Sequence, residues 1–399
     1  MASDIMVVGS GLFGLTIAER CASELGVEGG TRRGTARACR RKRLQRVGRA
    51  DGIEVHRYGS HIFHTSNEQV WEYVSRFTEF SNYQHKVFSV SRGRIYAMPV
   101  NLSTICTYFD RTLSPGEARY LIEMHAREAV DADALEGKAI SSIGGPLYEA
   151  LIRGYTAKQW QTDPKKLPAE IITRLPVRYT FDSRYFNDTY EGVPLDGYSN
   201  WLERMADHPN IEIQLNRDYF SLPSDPIGRI PVVYTGPLDR YFEYSEGVLG
   251  WRTLDFDIEH VPVRDYQGSS VINYADVDVP FTRIHEFKYF HPERASFDQD
   301  RTVIMGEHSR FAEIGDEPFY PISGLRDRAM LDAYRKLVGQ EDGVFFGGRL
   351  GTYKYLDMHM AIASALRMFE NRIKPYFGSR WDRQLELLSG LVLQPHFVI

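Results

Sequence analysis

Ile5-Met6-Val7-Val8-Gly9-Ser10-Gly11-Leu12-Phe13-Gly14-Leu15-Thr16-Ile17-Ala18 stands near the start of the chain and decides its fold class. The first four residues read as a buried strand. Gly9, Gly11 and Gly14 fit the spacing G-x-G-x-x-G, and Leu15 to Ala22 reads as a helix. Each glycine has a separate reason in such a turn. The first permits the tight reversal, the second lets backbone approach a pyrophosphate, and the third lets helix and strand pack. Helix N–H groups without intrahelical partners then face the phosphates. The spacing alone is weak, because glycine turns are common. Its place between a strand and a helix predicts a dinucleotide site.

Two further glycine turns suit the same domain. Val232-Val233-Tyr234 closes on Thr235-Gly236-Pro237, and Gly347-Gly348-Arg349-Leu350-Gly351 precedes a helix expected from Tyr355 to about Asn371. Either one alone is equally an ordinary tight turn. From Ser103 to Trp160 helical patterns dominate, with a proline-marked start at Ser114-Pro115-Gly116-Glu117. From Leu175 to Arg310 strands and turns dominate, among them Ile211–Leu215 and Ser270–Tyr274.

With 399 residues the chain is long enough for two or three domains. Its 43% apolar and 25% charged residues are the balance of a soluble globular protein. The 24 tyrosines suit a large, partly polar ligand cleft, because the ring stacks while the hydroxyl bonds. A net charge of -5 argues against nucleic-acid binding. Cys21, Cys39 and Cys106 form no metal spacing and no disulfide framework. With no signal-peptide layout at the N-terminus, a cytoplasmic protein is expected. No apolar run is long enough for membrane insertion.

Several longer motifs are more specific. They are Gly59-Ser60-His61-Ile62-Phe63-His64-Thr65, Gly154-Tyr155-Thr156-Ala157-Lys158-Gln159-Trp160 and Leu175-Pro176-Val177-Arg178-Tyr179. Gly250-Trp251-Arg252-Thr253-Leu254, Thr282-Arg283-Ile284-His285-Glu286 and Gly348-Arg349-Leu350-Gly351-Thr352-Tyr353-Lys354-Tyr355-Leu356-Asp357-Met358 join them. Together they resemble the UDP-galactopyranose mutase family, in register over nearly the whole chain. The resemblance implies an α/β fold: a discontinuous Rossmann-like FAD domain, a helical domain and an antiparallel-sheet domain. The FAD domain would take residues 1–80, 205–242 and 340–399. The helical domain, carrying a mobile loop, would take 101–172, and the sheet domain 81–100, 173–204 and 243–339.

The resemblance also implies a reaction. Reduced flavin attacks the anomeric carbon of UDP-galactose, UDP leaves, the sugar ring opens and recloses, and UDP returns. FAD must be reduced, so an external reductant such as NAD(P)H is implied, as is a homodimer. Arg178 and Arg283 would clamp the diphosphate, since an arginine fork meets developing negative charge bidentately. Tyr155 and Trp160 would stack on uracil, with Tyr185 nearby and Thr156 beside them. Tyr320 and Tyr355 would contact phosphate, and Asn273 the substrate. His61 and His64 would lie beside the flavin, where a group titrating near neutrality can move a proton. His85 is a weaker candidate for that place. Two histidines three apart lack a third ligand at metal spacing, so no metal is expected. Arg252, Arg349 and Asp357 would line the cleft. Gly9, Gly11, Phe13, Gly14, His61, Thr235, Gly236, Gly348, Arg349, Tyr355, Leu356, Asp357 and Met358 would hold the cofactor.

Gly29-Gly30-Thr31-Arg32-Arg33-Gly34-Thr35-Ala36-Arg37-Ala38-Cys39-Arg40-Arg41-Lys42-Arg43-Leu44-Gln45-Arg46 departs from this pattern. It is basic, poor in aliphatics and without strand period, where a second parallel strand belongs. It reads as a disordered or interaction loop. The family's glutamate for the adenosine ribose and its His-x-Gly-Gly-Asn turn along the flavin are both missing. Codons account for the departure. Written TGT CGG CGG AAA CGC CTA CAG, Cys39 to Gln45 read one base further on as Val-Gly-Gly-Asn-Ala-Tyr and the start of a serine codon. The same displacement permits Val-Val-Leu-Val-Val-Glu-Arg-Arg upstream. We read a local frame displacement, restored before Gly52-Ile53-Glu54-Val55-His56.

Three other functions compete. An amine oxidase of the same cofactor fold has no diphosphate for paired arginines to clamp. A nucleotide-sugar-binding protein, inactive because residues 29–46 do not match the FAD motif, would purify colourless. A nucleic-acid arm at the arginine-rich segment would bind DNA with steep salt dependence, against the net negative charge.

Overall fold

The computed structural model describes residues 5–25, 36–40, 45–47, 52–127, 133–173, 176–222, 230–294 and 300–378. Its strands in chain order begin with β1 (Ile5–Val8), β2 (Ala36–Arg40), β3 (Gln45–Val47), β4 (Glu54–His56), β5 (Phe63–Thr65), β6 (Val87–Ser91), β7 (Arg94–Met98) and β8 (Tyr190–Gly192). There follow β9 (Ile211–Leu215), β10 (Val232–Tyr234), β11 (Trp251–Val261), β12 (Val271–Tyr274), β13 (Arg283–Glu286), β14 (Thr302–Phe311), β15 (Tyr320–Pro321) and β16 (Val344–Phe346). The chain divides into two compact units. Met1–Lys42, Asn200–Val248 and Met330–Ile399 form the first, and Arg43–Ser199 and Leu249–Ala329 the second.

In the first unit the order β16-β10-β1-β2-β9 makes a parallel sheet. Ile5 to Val8 are all buried, as a strand covered on both faces must be. β1 pairs with β10 on one side and β2 on the other. The strand order therefore reverses at the carboxyl end of β1, where open α/β sheets bind their ligands. The Leu12–Arg20 helix starts at that point. Its Phe13, Ile17 and Ala18 pack with Val7, Val233 and Phe345 of the sheet and with Ala365 and Phe369.

The arginine-rich segment is corrected here. A strandless loop was expected, yet Ala36–Arg40 forms β2, in register with β1 from Ile5↔Ala36 to Val8↔Cys39 and with β9 beyond. Parallel pairing uses backbone N–H and C=O groups, which arginine and alanine carry as well as valine does. The slot between β1 and β9 supplies partners on both edges, so tertiary context overrides the poor strand pattern. Residues 29–35 and 41–44 lie outside the described residues. The last helix is also corrected: it starts at Met358, with Asp357 as its extended N-cap, and not at Tyr355.

In the second unit the order β15-β11-β14-β13-β12-β6-β7 makes a sheet that is antiparallel except at β12–β6. The expected helical region packs in the same unit. Its Pro115–Ala126 helix starts as the sequence indicates: Ser114 Oγ accepts from the Glu117 N–H, and the Glu117 side chain accepts from the Ser114 N–H, a reciprocal cap. Residues 43–80, expected with the dinucleotide domain, also fall here. The reason is packing: His56 at the end of β4 stacks on Phe290 at 5.6 Å.

Candidate functional site

In the first unit the three glycine turns meet. Gly9 has φ +104°, and a Cβ on it would stand 2.1 Å from Thr235 Oγ1. That hydroxyl donates to Val8 O at 2.7 Å, tying the second turn to the first. A Cβ on Gly14 would stand 1.9 Å from Gly9 O, and one on Gly347 would stand 2.2 Å from the Phe13 ring. Gly351 meets Tyr234 O in the same way at 2.8 Å. Protein atoms thus demand these glycines. Gly11 is different. Its φ of -73° suits any residue, and a Cβ there would meet no atom of the described residues within 4 Å. Among the described residues nothing requires glycine at 11, while a phosphate approaching the helix start would. The helix has no side-chain cap to occupy its first N–H groups. This turn fits a dinucleotide pyrophosphate.

The remaining residues expected at the cofactor are placed as follows. Phe13 is buried in the core against Gly347, a packing role. Arg349 Nη2 donates to Leu356 O at 2.7 Å, and its guanidinium lies 5.1 Å from the Tyr355 ring centre. Arg349 therefore fixes the Tyr355–Leu356 segment that leads into Asp357 and Met358. Gly348, at φ +72°, rests against Thr235 and Phe13. Gly236 is crowded by the Tyr234 hydroxyl, which folds back on the turn. His61 belongs to the second unit.

In the second unit strand register sets the charged centre. Arg283 on β13 stands opposite Glu307 of β14 and Asn273 of β12. Its Nη2 donates to Tyr155 Oη, and its Nε lies 3.6 Å from Glu307 Oε1. Glu307 is 2% exposed. Burial pushes its carboxyl up, but the Arg283 charge and the His285 bond outweigh burial and hold it below the usual range. His285 Nε2 meets Glu307 Oε2 at 3.2 Å. Four buried polar atoms of this centre have no hydrogen-bond partner among the described residues: Arg283 Nε, Asn273 Oδ1, Glu307 Oε1 and His285 Nδ1.

The Gly154–Trp160 helix is fastened beside this centre. A Cβ on Gly154 would stand 2.1 Å from Ala275 O, so only glycine allows the approach. Lys158 Nζ donates to Tyr274 O, Val279 O and Phe281 O at 2.7, 3.1 and 2.9 Å. Burial lowers its pKa to about 8. Thr156 is buried in the helix packing. Trp160, half-buried, has its ring 6.4 Å from that of Tyr320. Arg252, expected to line the cleft, is 0% exposed. Its Nε and Nη2 donate to Ser309 Oγ, which donates in turn to Gln159 O. Burial, then the Arg310 charge, lowers its pKa to about 10. Arg252 is an interior brace because its strand position points it under the helix.

Arg178 occupies a third group of contacts. Its Nη1 donates to Arg184 O, and its Nη2 to Phe186 O at 3.1 Å and Asn187 Oδ1 at 2.5 Å. The fork expected on a diphosphate thus holds the 182–187 loop. That loop brings Tyr185 to His85, with ring centres 5.4 Å apart, and stacks Phe186 on His64 at 3.7 Å. His64 Nδ1 meets Asp188 Oδ2 at 2.7 Å. His85 sits among these groups. Burial, then the charges of Arg283, His285 and His64, lower its pKa to about 3. Arg178, His64, Tyr185 and His85 are therefore one cluster, while His61 is held separately by His56, Gly59 and Tyr198.

Sequence reading did not find Lys158, Glu307, Asp188 or His56 as functional neighbours. Lys158 and His56 stand in or beside the motifs quoted above, but their partners are set by the fold. Glu307 and Asp188 carry no local signal at all. The comparisons agree with this architecture. Residues 150–355 match the UDP-galactopyranose mutase family, and residues 7–77 match the NAD(P)-binding Rossmann-like domain family. A Klebsiella pneumoniae protein named "Probable UDP-galactopyranose mutase" is 44% identical over 79% of this chain and 81% of its own length. An Escherichia coli dTDP-fucopyranose mutase is 36% identical over 93% of this chain and 98% of its own. A crystal structure of reduced UDP-galactopyranose mutase has the same fold, with a TM-score of 0.68 over 94% of each chain at 13% identity. Extensive identity along the chain and a shared fold lead to one conclusion: the chain belongs to the UDP-galactopyranose mutase family of isomerases.

Proposed function

We propose that the chain interconverts UDP-galactopyranose and UDP-galactofuranose, with FAD held on the glycine turns of the first unit. The observation that carries this reading is the placing of Arg283 and Asn273 opposite each other on adjacent strands, where Arg283 Nε and Asn273 Oδ1 are among the buried polar atoms without a hydrogen-bond partner among the described residues. One donates and one accepts, as a diphosphate and a sugar hydroxyl require. The chemistry FAD supplies when bound and reduced is nucleophilic, from flavin N5 toward the anomeric carbon.

The chain's own residues then have distinct tasks. Arg283, held by Glu307 and Tyr155, meets the charge that develops on the leaving diphosphate. Arg178 joins it when the 182–187 loop releases the fork. Trp160, Tyr155 and Tyr185 receive the uracil, and Tyr320 and Tyr355 offer hydroxyls to phosphate. His61 and His64 exchange protons with the opening sugar. The three scattered cysteines, which form no disulfide framework in the sequence, support a cytoplasmic enzyme. The family resemblance supports a homodimer reduced by NAD(P)H.

The test is chromatographic separation of pyranose and furanose forms after incubation with the purified protein. Chemically reduced protein should convert UDP-galactofuranose, and oxidised protein should not. dTDP-fucopyranose, run in parallel, should turn over more slowly. Equal activity in both redox states overturns the nucleophilic role of flavin. Turnover of the dTDP sugar alone overturns the substrate.

A further inference from the structure

The second unit contains a buried charged cluster behind His61 that the proposed reaction does not use. Glu54 and His56 stand two apart on β4, so their side chains leave the same face. Both are buried, at 4% and 1% exposure. Glu54 Oε2 receives Arg294 Nη1 at 3.0 Å and lies 3.7 Å from His291 Nε2, while its Oε1 lies 3.7 Å from His56 Nε2. Arg294 is itself anchored, donating to Leu195 O at 2.7 Å. The His56 ring stacks on Phe290 and meets Tyr198 edge-on at 5.4 Å.

Hydrogen-bond logic fixes the protons. The backbone N–H of His61 donates to His56 Nδ1 at 3.0 Å. That nitrogen must be an acceptor, so the His56 hydrogen sits on Nε2, on the side of Glu54. Protonating Nδ1 would set two donors against each other. His61 Nδ1 meets Gly59 O at 2.6 Å. A carbonyl only accepts, so His61 carries its hydrogen on Nδ1, and the neutral ring keeps its lone pair on Nε2. Gly59 reaches this place at φ +89°, a conformation that favours glycine. Tyr198 Oη donates to His61 O at 2.8 Å. The residue is gripped at its amide, its carbonyl and its ring.

We propose that Glu54 and His56 are positioning residues for His61, which they hold as the Nδ1–H tautomer so that Nε2 serves as its proton-accepting atom. The inference rests on the reading of His61 as a proton-transfer group. Charge supplies the reason for a buried carboxylate at this place. Glu54 Oε1, 3.7 Å from His56 Nε2, is too far for a hydrogen bond, so it acts by charge: a carboxylate on that side favours the hydrogen on Nε2 and leaves Nδ1 as the acceptor for the His61 amide. Burial raises the Glu54 carboxyl, but His291 and His56 outweigh it and keep the group ionised. Burial also lowers the His56 pKa in spite of Glu54, in keeping with a neutral ring.

The experiment uses the full-length holoprotein with 15N-labelled histidine, together with steady-state turnover of UDP-galactofuranose. His56→Leu keeps the volume and removes the acceptor. His56→Asn returns an acceptor oxygen. Glu54→Gln keeps the size and removes the charge. In the unaltered protein the His61 ring should give the Nδ1–H signature and His56 the Nε2–H signature. His56→Leu should mix the His61 tautomers and lower kcat by roughly tenfold, the worth of one buried hydrogen bond, with KM unchanged. His56→Asn should restore most of both. Glu54→Gln should mix the His56 tautomers and speed hydrogen exchange at the His61 amide, and it carries the test if His56→Leu does not fold. Unchanged ring signatures in Glu54→Gln, or a single Nδ1–H His61 in folded His56→Leu, overturn the proposal. His61→Gln separates the two readings. Full turnover in that variant removes His61 from the reaction, while the ring signatures still decide whether His56 positions it.

Discussion

Gly11→Ala separates a glycine kept for a ligand from glycines kept for the fold. A Cβ at 11 meets no atom of the described residues within 4 Å, and the backbone there, φ -73° and ψ 178°, suits alanine. Two small effects on the apoprotein oppose each other. Alanine restricts the unfolded chain, which stabilises by about 0.4–1 kcal/mol. It is a poorer N-cap than glycine, which costs roughly 0.5 kcal/mol. The apoprotein should therefore melt close to the unaltered one. Cofactor binding should not survive as well. A methyl group that displaces the pyrophosphate from even one N–H loses a charge-assisted bond of about 1.5–3 kcal/mol, or one to two decades in Kd. Gly14→Ala should behave oppositely. Its Cβ would stand 1.9 Å from Gly9 O and 3.2 Å from Val7 Cγ1, so backbone must move, at about 1–3 kcal/mol or more of apoprotein stability. The assay is calorimetric titration of each apoprotein with FAD beside its thermal melt. FAD affinity unaltered in Gly11→Ala would refute the phosphate assignment. An apoprotein of that variant several kcal/mol less stable would refute the steric argument.

Three further outcomes are expected. Arg283→Lys keeps a charge for buried Glu307 but loses the fork. It should lower kcat about a hundredfold, since losing one donor to a developing anion costs about 2.7–4 kcal/mol, while flavin content by absorbance stays the same. His85 is buried neutral, with a pKa near 3 against 6.5 for a free histidine. Its contribution is therefore complete above pH 6.5 and is lost as pH falls from there toward 3, because only the unfolded chain takes the proton; the loss is at most about 5 kcal/mol. His85→Phe should make urea-derived stability less steep across that window, with buried His56 and His285 keeping part of the slope, and an equally steep profile would remove His85 as a cause. Protein made to these letters should bind FAD at least tenfold more weakly than protein carrying the displaced reading of Gly29–Arg46, because β2 forms through backbone but the ribose carboxylate is missing; equal flavin stoichiometry, with the segment verified by peptide mass, would contradict this.

What the sequence determined by itself was local. Gly9 and Gly14 were legible because a positive φ and a backbone contact admit only glycine, and Ser114 and Glu117 because a cap lies within one helical turn. The family motifs were legible for the same reason: each is a short run of residues. Tertiary structure decided everything that depends on register or on distant partners. Ala36–Arg40 became a strand because β1 and β9 offered free edges, against its own composition. Arg283 gained Glu307 and Asn273 as neighbours only when β12, β13 and β14 aligned. His64 found Asp188 across 124 positions, and Lys158 found its carbonyls across more than a hundred. Arg178, expected on a diphosphate, found its present partners in the loop of Phe186 and Asn187. Side-chain chemistry is written in each residue, but the partner that a charged group satisfies is chosen by the fold, because burying it unpaired costs more than any local preference supplies.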